Sequence, residues 1–386
     1  MRSTMLPEQP AHGQMPLAVI VYRTQLLAVS EPWVVTQTEH VPGVVAHYLG
    51  HQRVAGSATP PDRTTISSWG PRLVRLAAFL FGADPVANRL VSRIRPALIH
   101  AHFGPDAMFA AATARRHRLP LVVSIHGYEV TQHDHAHTGP GGRLWLRRRT
   151  AVFEQAALLL ANSTYTRDCL LRLGAPPARV VVQHVGVDTA QFVPTPATSR
   201  APAEVLFVGR LVAQKGIHTL IRAMAIVQAT VPDAHLAVIG DGPERAAAEH
   251  LARTLGIAAE FRGPRPHDEV RRAMATATVL CGPSTVSATG QREALGLVFA
   301  EAQACGLPVV ACRSGGVPDV VIDGAGGLLV DEDDADGLAA ALVRILGDPE
   351  LAARMAQAGR AHIVEHFDLA TQSAALAEHY HRVLGR

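Results

Sequence analysis

The sequence predicts an α/β protein of two doubly wound, largely parallel sheets, and three observations predict it. Short apolar runs alternate with longer helical patterns along most of the chain, the mark of repeated βα units. At 386 residues the chain is too long for one ordinary core and fits two domains. Between the two βα series lies VPTPATSRAPAE, beginning at Val193, which is rich in Pro, Thr, Ser and Ala and carries no apolar face, so it reads as a linker.

In the first series LAVIVY (17–22), ALIHAHF (97–103), LVVSIHG (121–127), ALLLANS (157–163) and RVVVQHVGV (179–187) are apolar runs of strand length. The second series supplies EVLFVG (204–209), HLAVIG (235–240), AEFRG (259–263), TVLCGPS (278–284), PVVAC (308–312) and GGLLV (326–330). Helical patterns lie near 216–230, 243–255, 267–276, 297–305 and 335–346, and two more, 349–365 and 369–384, have no strand after them. The expected domains are therefore 1–192 and 204–366 joined by a linker at 193–203, with a terminal helical segment, 367–386.

Composition narrows the function. Apolar residues make up 48% and charged residues 18%, and the net charge of +3 has no dominating basic run, which argues against a nucleic-acid partner. Cys169, Cys281, Cys305 and Cys312 lack CxxC spacing and read as reduced, mostly buried thiols. The first sixteen residues lack the apolar core of a signal peptide and no run reaches 18 apolar residues, so a cytoplasmic location is expected.

Two segments of the second series carry the chemistry. In EALGLVFAE, Glu293 sits on a loop and Glu301 inside the helix begun near Leu297, so the carboxylates face different parts of one ligand. Gly296 lets the backbone approach closely, and the N–H groups opening the helix favour phosphate oxygens. In VGRLVAQKG, Arg210 and Lys215 follow a strand and precede a helix, a loop able to turn two cations toward one pyrophosphate. A third segment, SIHG, ends a first-series strand on His126 and Gly127.

These motifs together resemble glycosyltransferase family 4, whose members are retaining enzymes of the GT-B fold with an E-x7-E signature. The resemblance covers nearly the whole chain from about Leu17. It implies two Rossmann-like domains facing across a cleft, the N-terminal one binding acceptor and the C-terminal one nucleotide-sugar, with the last helix crossing back to the N-terminal domain. The implied catalytic residues are His126, Arg210, Lys215 and Glu293. The implied donor set is Gly209, Arg210, Lys215, Arg262, Glu293, Ala294, Leu295, Gly296, Leu297 and Glu301. In it the two cations hold the diphosphate, Glu301 takes the ribose hydroxyls and Glu293 a hydroxyl of the transferred sugar. No protein nucleophile is implied: the departing phosphate takes the acceptor's proton in a front-face substitution. No metal or cofactor is expected, and family frequency favours UDP over GDP.

On the acceptor side, SEPW with Ser30 and Glu31, and HAHFG with His102, resemble the bacterial exopolysaccharide transferases of the colanic acid and amylovoran type, with Gly127 completing that set. The expected acceptor is a glycan or lipid-linked hydroxyl. The alternatives are a small natural product such as an aminocyclitol, or a catalytically silent nucleotide-sugar-binding protein. GGRLWLRRR (141–149) reads either as peripheral contact with an anionic membrane or as a solvated helix face packing Trp145 inward. HDHAH (133–137) is read as an acceptor-side loop rather than a zinc site, and the acidic run 331–334 as charge at a helix N-terminus. VIGDGPER fails as a dinucleotide fingerprint because Arg245 stands at the third glycine position.

Overall fold

Strands whose side chains are apolar on both faces need cover on both, and the chain provides it twice. The computed structural model describes residues 16–26, 32–53, 59–67, 76–77, 81, 84–194 and 203–386. It resolves into two α/β units, Met1–Gly186 with Leu369–Arg386, and Val187–Asp368.

The first unit holds β1 (Leu17–Tyr22), β2 (Gln25–Leu26), β3 (Val44–Gly50), β4 (Gln52–Arg53), β5 (Thr64–Ile66), β6 (Leu98–His102), β7 (Leu121–Ile125), β8 (Leu158–Ala161) and β9 (Val180–Val182). Seven of them form one sheet in the order β5-β3-β1-β6-β7-β8-β9, while β2 pairs with β4. The pairings are parallel. The alternation rule names no strand between Tyr22 and Ala97, yet β3 pairs along all of β1. Its run VVAHYLG is interrupted by the partly exposed His47, which hides it from a search for continuous apolar segments.

One face of this sheet is covered by the helices Gly104–His117, Gly139–Gln155 and Thr164–Arg172, which bury Trp145, Phe153 and Leu170 against β6 to β8. A Cβ on Gly104 would lie 2.4 Å from the Trp145 ring, so the turn after β6 needs glycine there to seat the indole. The other face receives the terminal helix Leu369–Val383, whose Leu376, Ala377 and Tyr380 pack with Val19, Leu98, Val122 and Leu160. The Tyr380 hydroxyl meets His100 Nδ1 at 2.6 Å, and His100 Nε2 meets Ser124 Oγ at 2.8 Å.

The second unit holds β10 (Glu204–Val208), β11 (His235–Ile239), β12 (Ala259–Gly263), β13 (Val279–Gly282), β14 (Val309–Cys312) and β15 (Gly327–Val330) in the parallel order β12-β11-β10-β13-β14-β15. The helix Ile217–Thr230 has an apolar stripe of Leu220, Ile221, Met224 and Val227, and the helix Ala335–Gly347 one of Leu338, Leu342 and Ile345. Both stripes bury into one core with β10 and β11.

In each sheet the chain starts in the middle, winds to one edge, then returns beside its first strand and winds the other way. That return separates the loops leaving β1 and β6 in the first unit, and those leaving β10 and β13 in the second. Backbone N–H groups and loop side chains converge there, at the carboxyl ends of the strands.

Burial pushes the His100 ring down to about 3, so it stays neutral and relies on both of its hydrogen bonds. Tyr380→Phe therefore leaves a buried ring nitrogen without a partner, at a cost of about 1–3 kcal/mol. The expected result is a lower urea midpoint with an unchanged slope; a wild-type midpoint would show that the bond contributes nothing.

Candidate active site

The two loops at the switch point of the second unit meet through a glycine contact. After β10 the chain passes Gly209 and Arg210, makes a short turn at Ala213–Lys215, and enters the helix Ile217–Thr230 through Gly216 at φ +66°. A Cβ on Gly216 would stand 1.9 Å from the Pro283 carbonyl oxygen. Only glycine lets this turn press against the exit of β13, and the contact carries Lys215 to the loop that bears Glu293.

That loop ends at Gly296, φ +86°, which opens the helix Leu297–Ala304. A Cβ there would lie 2.4 Å from the Phe299 ring, whose other edge fills the space over Gly282. The Glu293 carbonyl accepts the Gly316 N–H at 2.9 Å, which pins the backbone. Lys215 Nζ donates to Glu293 Oε2 in a salt bridge, and Ser284 Oγ donates to the same oxygen at 3.1 Å. The pair is largely enclosed, with side-chain exposures of 18% for Lys215 and 13% for Glu293.

Burial alone would raise the Glu293 carboxyl, but the Lys215 ammonium, the Ser284 hydroxyl and the nearby Arg210 charge together hold it below the usual range. Arg210 itself is exposed. The amides of Ala294 to Val298 have no backbone acceptor among the described residues, as expected where a helix begins. Two cations, an ionised carboxylate and a row of open amides thus share one end of the sheet.

Glu301 lies in the second turn of the same helix, 16% exposed at its side chain, and meets His267 Nε2 at 3.4 Å. That hydrogen bond and the carboxylate charge raise the His267 ring above its ordinary value. Phe192 stands edge-on to the His267 ring at 5.3 Å.

Arg262 is a correction. Expected in the donor set, it instead holds Glu260 at 2.8 Å and Glu204, the first residue of β10, at 3.2 Å. Both carboxylates draw its guanidinium toward the start of the sheet, away from the loops that follow β10 and β13. In VIGDGPER the glycines serve close packing: a Cβ on Gly240 would lie 1.9 Å from the Gly209 carbonyl oxygen, and one on Gly242 2.3 Å from that of Leu211.

In the first unit the turns after β1, β6 and β7 assemble a second constellation. Asp106, at the start of the helix Gly104–His117, forms a salt bridge with Arg23 and accepts from Thr24 Oγ1 at 2.5 Å. The Arg23 guanidinium lies over the Phe103 ring at 4.1 Å. His102 Nδ1 and His126 Nε2 are 3.1 Å apart with the rings stacked, and Trp33 and Phe103 each lie 4.6 Å from the His126 ring.

Burial, with the Arg23 charge adding to it, pushes both histidines well below the ordinary range, so they are neutral near pH 7. His102 Nε2 and His126 Nδ1 are buried without a hydrogen-bond partner among the described residues. Glu129, fully buried two residues beyond Gly127, accepts the His126 N–H at 2.9 Å, and burial pushes its carboxyl up to about 7. Sequence reading noted Trp33 only as the end of SEPW and missed Glu129, His267 and Ser284; a hydroxyl just past a strand end was the available sign of Ser284.

Trp145 packs fully inward, with Arg143, Arg147 and Arg148 on the exposed side of its helix. Asp134 of the HDHAH segment pairs with Arg149. Among the described residues no group of three or more His, Cys, Asp or Glu is arranged to hold a metal, and no helix is long and apolar enough to cross a membrane. Ser30 and Glu31 lie outside the described residues.

Comparison with known proteins follows this division of the chain. Residues 40–191 match the family described as Glycosyltransferase Family 4, and residues 195–362 match Glycosyl transferases group 1. The chain is 35% identical over 326 residues to a GDP-mannose-dependent alpha-(1-6)-phosphatidylinositol monomannoside mannosyltransferase of Mycolicibacterium smegmatis, covering 80% of this chain and 84% of that one. It is 33% identical over 335 residues to a D-inositol 3-phosphate glycosyltransferase of Corynebacterium diphtheriae, covering 81% and 75%. Among solved structures it is similar to Anabaena HepE in complex with UDP and glucose, with a TM-score of 0.78 at 21% identity over 94% of this chain and 99% of that one. The chain belongs to glycosyltransferase family 4, has the GT-B fold, and is a glycosyltransferase.

Proposed function

We propose that the protein transfers a hexose from a nucleoside-diphosphate sugar, with retention of anomeric configuration, to a hydroxyl of an acceptor held by the first unit. The observation that carries this reading is the enclosed Lys215–Glu293 pair at the switch point of the second unit, with Ser284, Arg210 and the open amides of Ala294 to Leu297 around it.

In this reading Arg210 and Lys215 bind the diphosphate and absorb the charge that grows on it as the glycosidic C–O bond breaks. The acceptor oxygen forms its new bond on the same face, and its proton passes to a departing phosphate oxygen. Glu293 orients Lys215 and takes a sugar hydroxyl, Glu301 takes the ribose diol, and the open amides cap the phosphates. His126, neutral and held against Trp33, Phe103 and His102, either bonds the transferred sugar or shields the reacting centre. No metal or cofactor enters these steps.

The donor nucleoside is where two observations diverge. Family frequency favours uridine, and the HepE structure contains UDP. The mannosyltransferase relative, at higher identity, is named for GDP-mannose. GDP-mannose is accordingly the first donor to assay and UDP-glucose the second. The same relative is named for a phosphatidylinositol mannoside, which supports a lipid-linked acceptor. The D-inositol 3-phosphate relative favours a second reading, a small polyol acceptor, as the aminocyclitol alternative also holds. The narrower exopolysaccharide likeness rests on Ser30, Glu31 and the His100–Gly104 segment alone. Contact with an anionic membrane is supported by the exposed arginines of the helix Gly139–Gln155.

Two measurements test the proposal. Titration with GDP, UDP, ADP and their sugars is expected to raise the melting temperature with one base only, since a ligand bound to the native state alone stabilises it by about 2.7 kcal/mol at a hundredfold excess over Kd. No shift with any of them would sink the donor site, whereas a shift without sugar transfer would favour the catalytically silent nucleotide-sugar-binding reading. Lys215→Ala and Arg210→Ala are each expected to lower kcat by about 10²–10³-fold in sugar transfer, the loss seen when one charge-stabilising donor is removed. Wild-type turnover in both would remove the pair from the mechanism.

A further inference from the structure

The acidic run Asp331–Asp334, expected to be simple helix N-terminal charge, divides its labour. Asp334 does cap the helix Ala335–Gly347, accepting the Gly337 N–H at 2.8 Å. The two residues before it face elsewhere. Glu332 takes the Arg292 guanidinium with both oxygens, at 3.0 and 3.3 Å, and Asp333 Oδ2 accepts the Thr285 hydroxyl at 3.0 Å.

Thr285 and Arg292 stand near the two ends of the loop between β13 and the helix Leu297–Ala304, and Arg292 is the residue before Glu293. Thr285 is buried, and its N–H also donates to the Gln214 carbonyl at 2.9 Å, next to Lys215. The loop is thus tied at one end to the turn that carries Lys215 and at both ends to the acidic turn. Asp333 holds its contact from the left-handed region, at φ +62°, a conformation that glycine adopts without cost.

We propose that Glu332 and Asp333 are positioning residues that clamp the Glu293 loop against Lys215 and thereby set donor affinity. The inference rests on the donor reading of that pair for its affinity half and on the loop contacts alone for the clamp itself. Arg292 and Thr285 are fastened outside the pair, so Glu293 reaches Lys215 without its loop having to be ordered when the diphosphate arrives. The ordering cost is met in folding, by a turn that is itself anchored to a helix through Asp334.

The test separates the clamp from general stability. Asp333→Gly removes the carboxylate that the buried Thr285 hydroxyl uses while relieving the left-handed backbone, so a purely structural role predicts a shifted melting temperature with local exchange and nucleotide affinity unchanged. The clamp predicts faster amide hydrogen exchange at Thr285 and Gln291, with protection in β13 and β14 unchanged, for Asp333→Gly combined with Glu332→Gln. It also predicts a rise of about five- to tenfold in the Kd of GDP or UDP, whichever the wild type binds, measured by calorimetry. Thr285→Ser is expected to keep wild-type exchange and affinity, whereas Thr285→Val reproduces the loss.

Unchanged exchange in the double variant overturns the clamp whether or not nucleotide binds. Faster exchange with an unchanged Kd overturns its role in donor affinity. A wild type that binds neither nucleotide fails the donor reading instead, and the exchange result still decides the clamp.

Discussion

The Lys215–Glu293 contact is the constraint on which the second unit's chemistry depends. Its partners are 78 residues apart in the chain, and neither would be placed without the other's loop. An enclosed ammonium or carboxylate left alone would be costly, so the two are retained as a pair and their loops are held in register by it. The pair in turn requires the close approach of Gly216 to Pro283 and the Phe299 ring wedged beneath Gly282 and Gly296. Bulk at any of these glycines would separate the loops before it disturbed the sheet.

Two doubly wound sheets solve the same problem with different chemistry. In the second unit, the loops leaving the first strand and the strand beside it carry cations, a carboxylate and open amides. In the first unit the equivalent loops carry an Arg23–Asp106 bridge, and the neighbouring turn carries neutral, buried histidines among aromatic rings. One environment is charged and rich in open donors, and the other is neutral and aromatic. The terminal helix serves the first unit from the far face of its sheet, reaching the buried histidines through Tyr380 and His100.

The residues that do the positioning were the hardest to read from sequence. Glu332 and Asp333 look like helix-start charge because sequence shows the neighbour they precede and not the loop they reach across 40 and 48 residues. Arg262 was misplaced for the converse reason. An arginine on a strand near the donor loops is a fair candidate until Glu204 and Glu260 are seen to take it first. Glu129 gave no sign at all, since a glutamate in a short polar turn is ordinarily solvated.

Local physics made the strands, the helices, the two-series organisation and the chemistry of the loops legible in sequence: apolar runs of strand length, helical periodicity, and Gly, Arg, Lys and Glu just past strand ends. Those signals act over a few residues, so they survive without coordinates. What the tertiary structure alone decided was partnership: Lys215 with Glu293 and Ser284, Glu301 with His267, and His102 with His126. Each is a contact between segments far apart in sequence, chosen by burial and by competition among charges for the nearest opposite one, and such a choice exists only once the chain has closed.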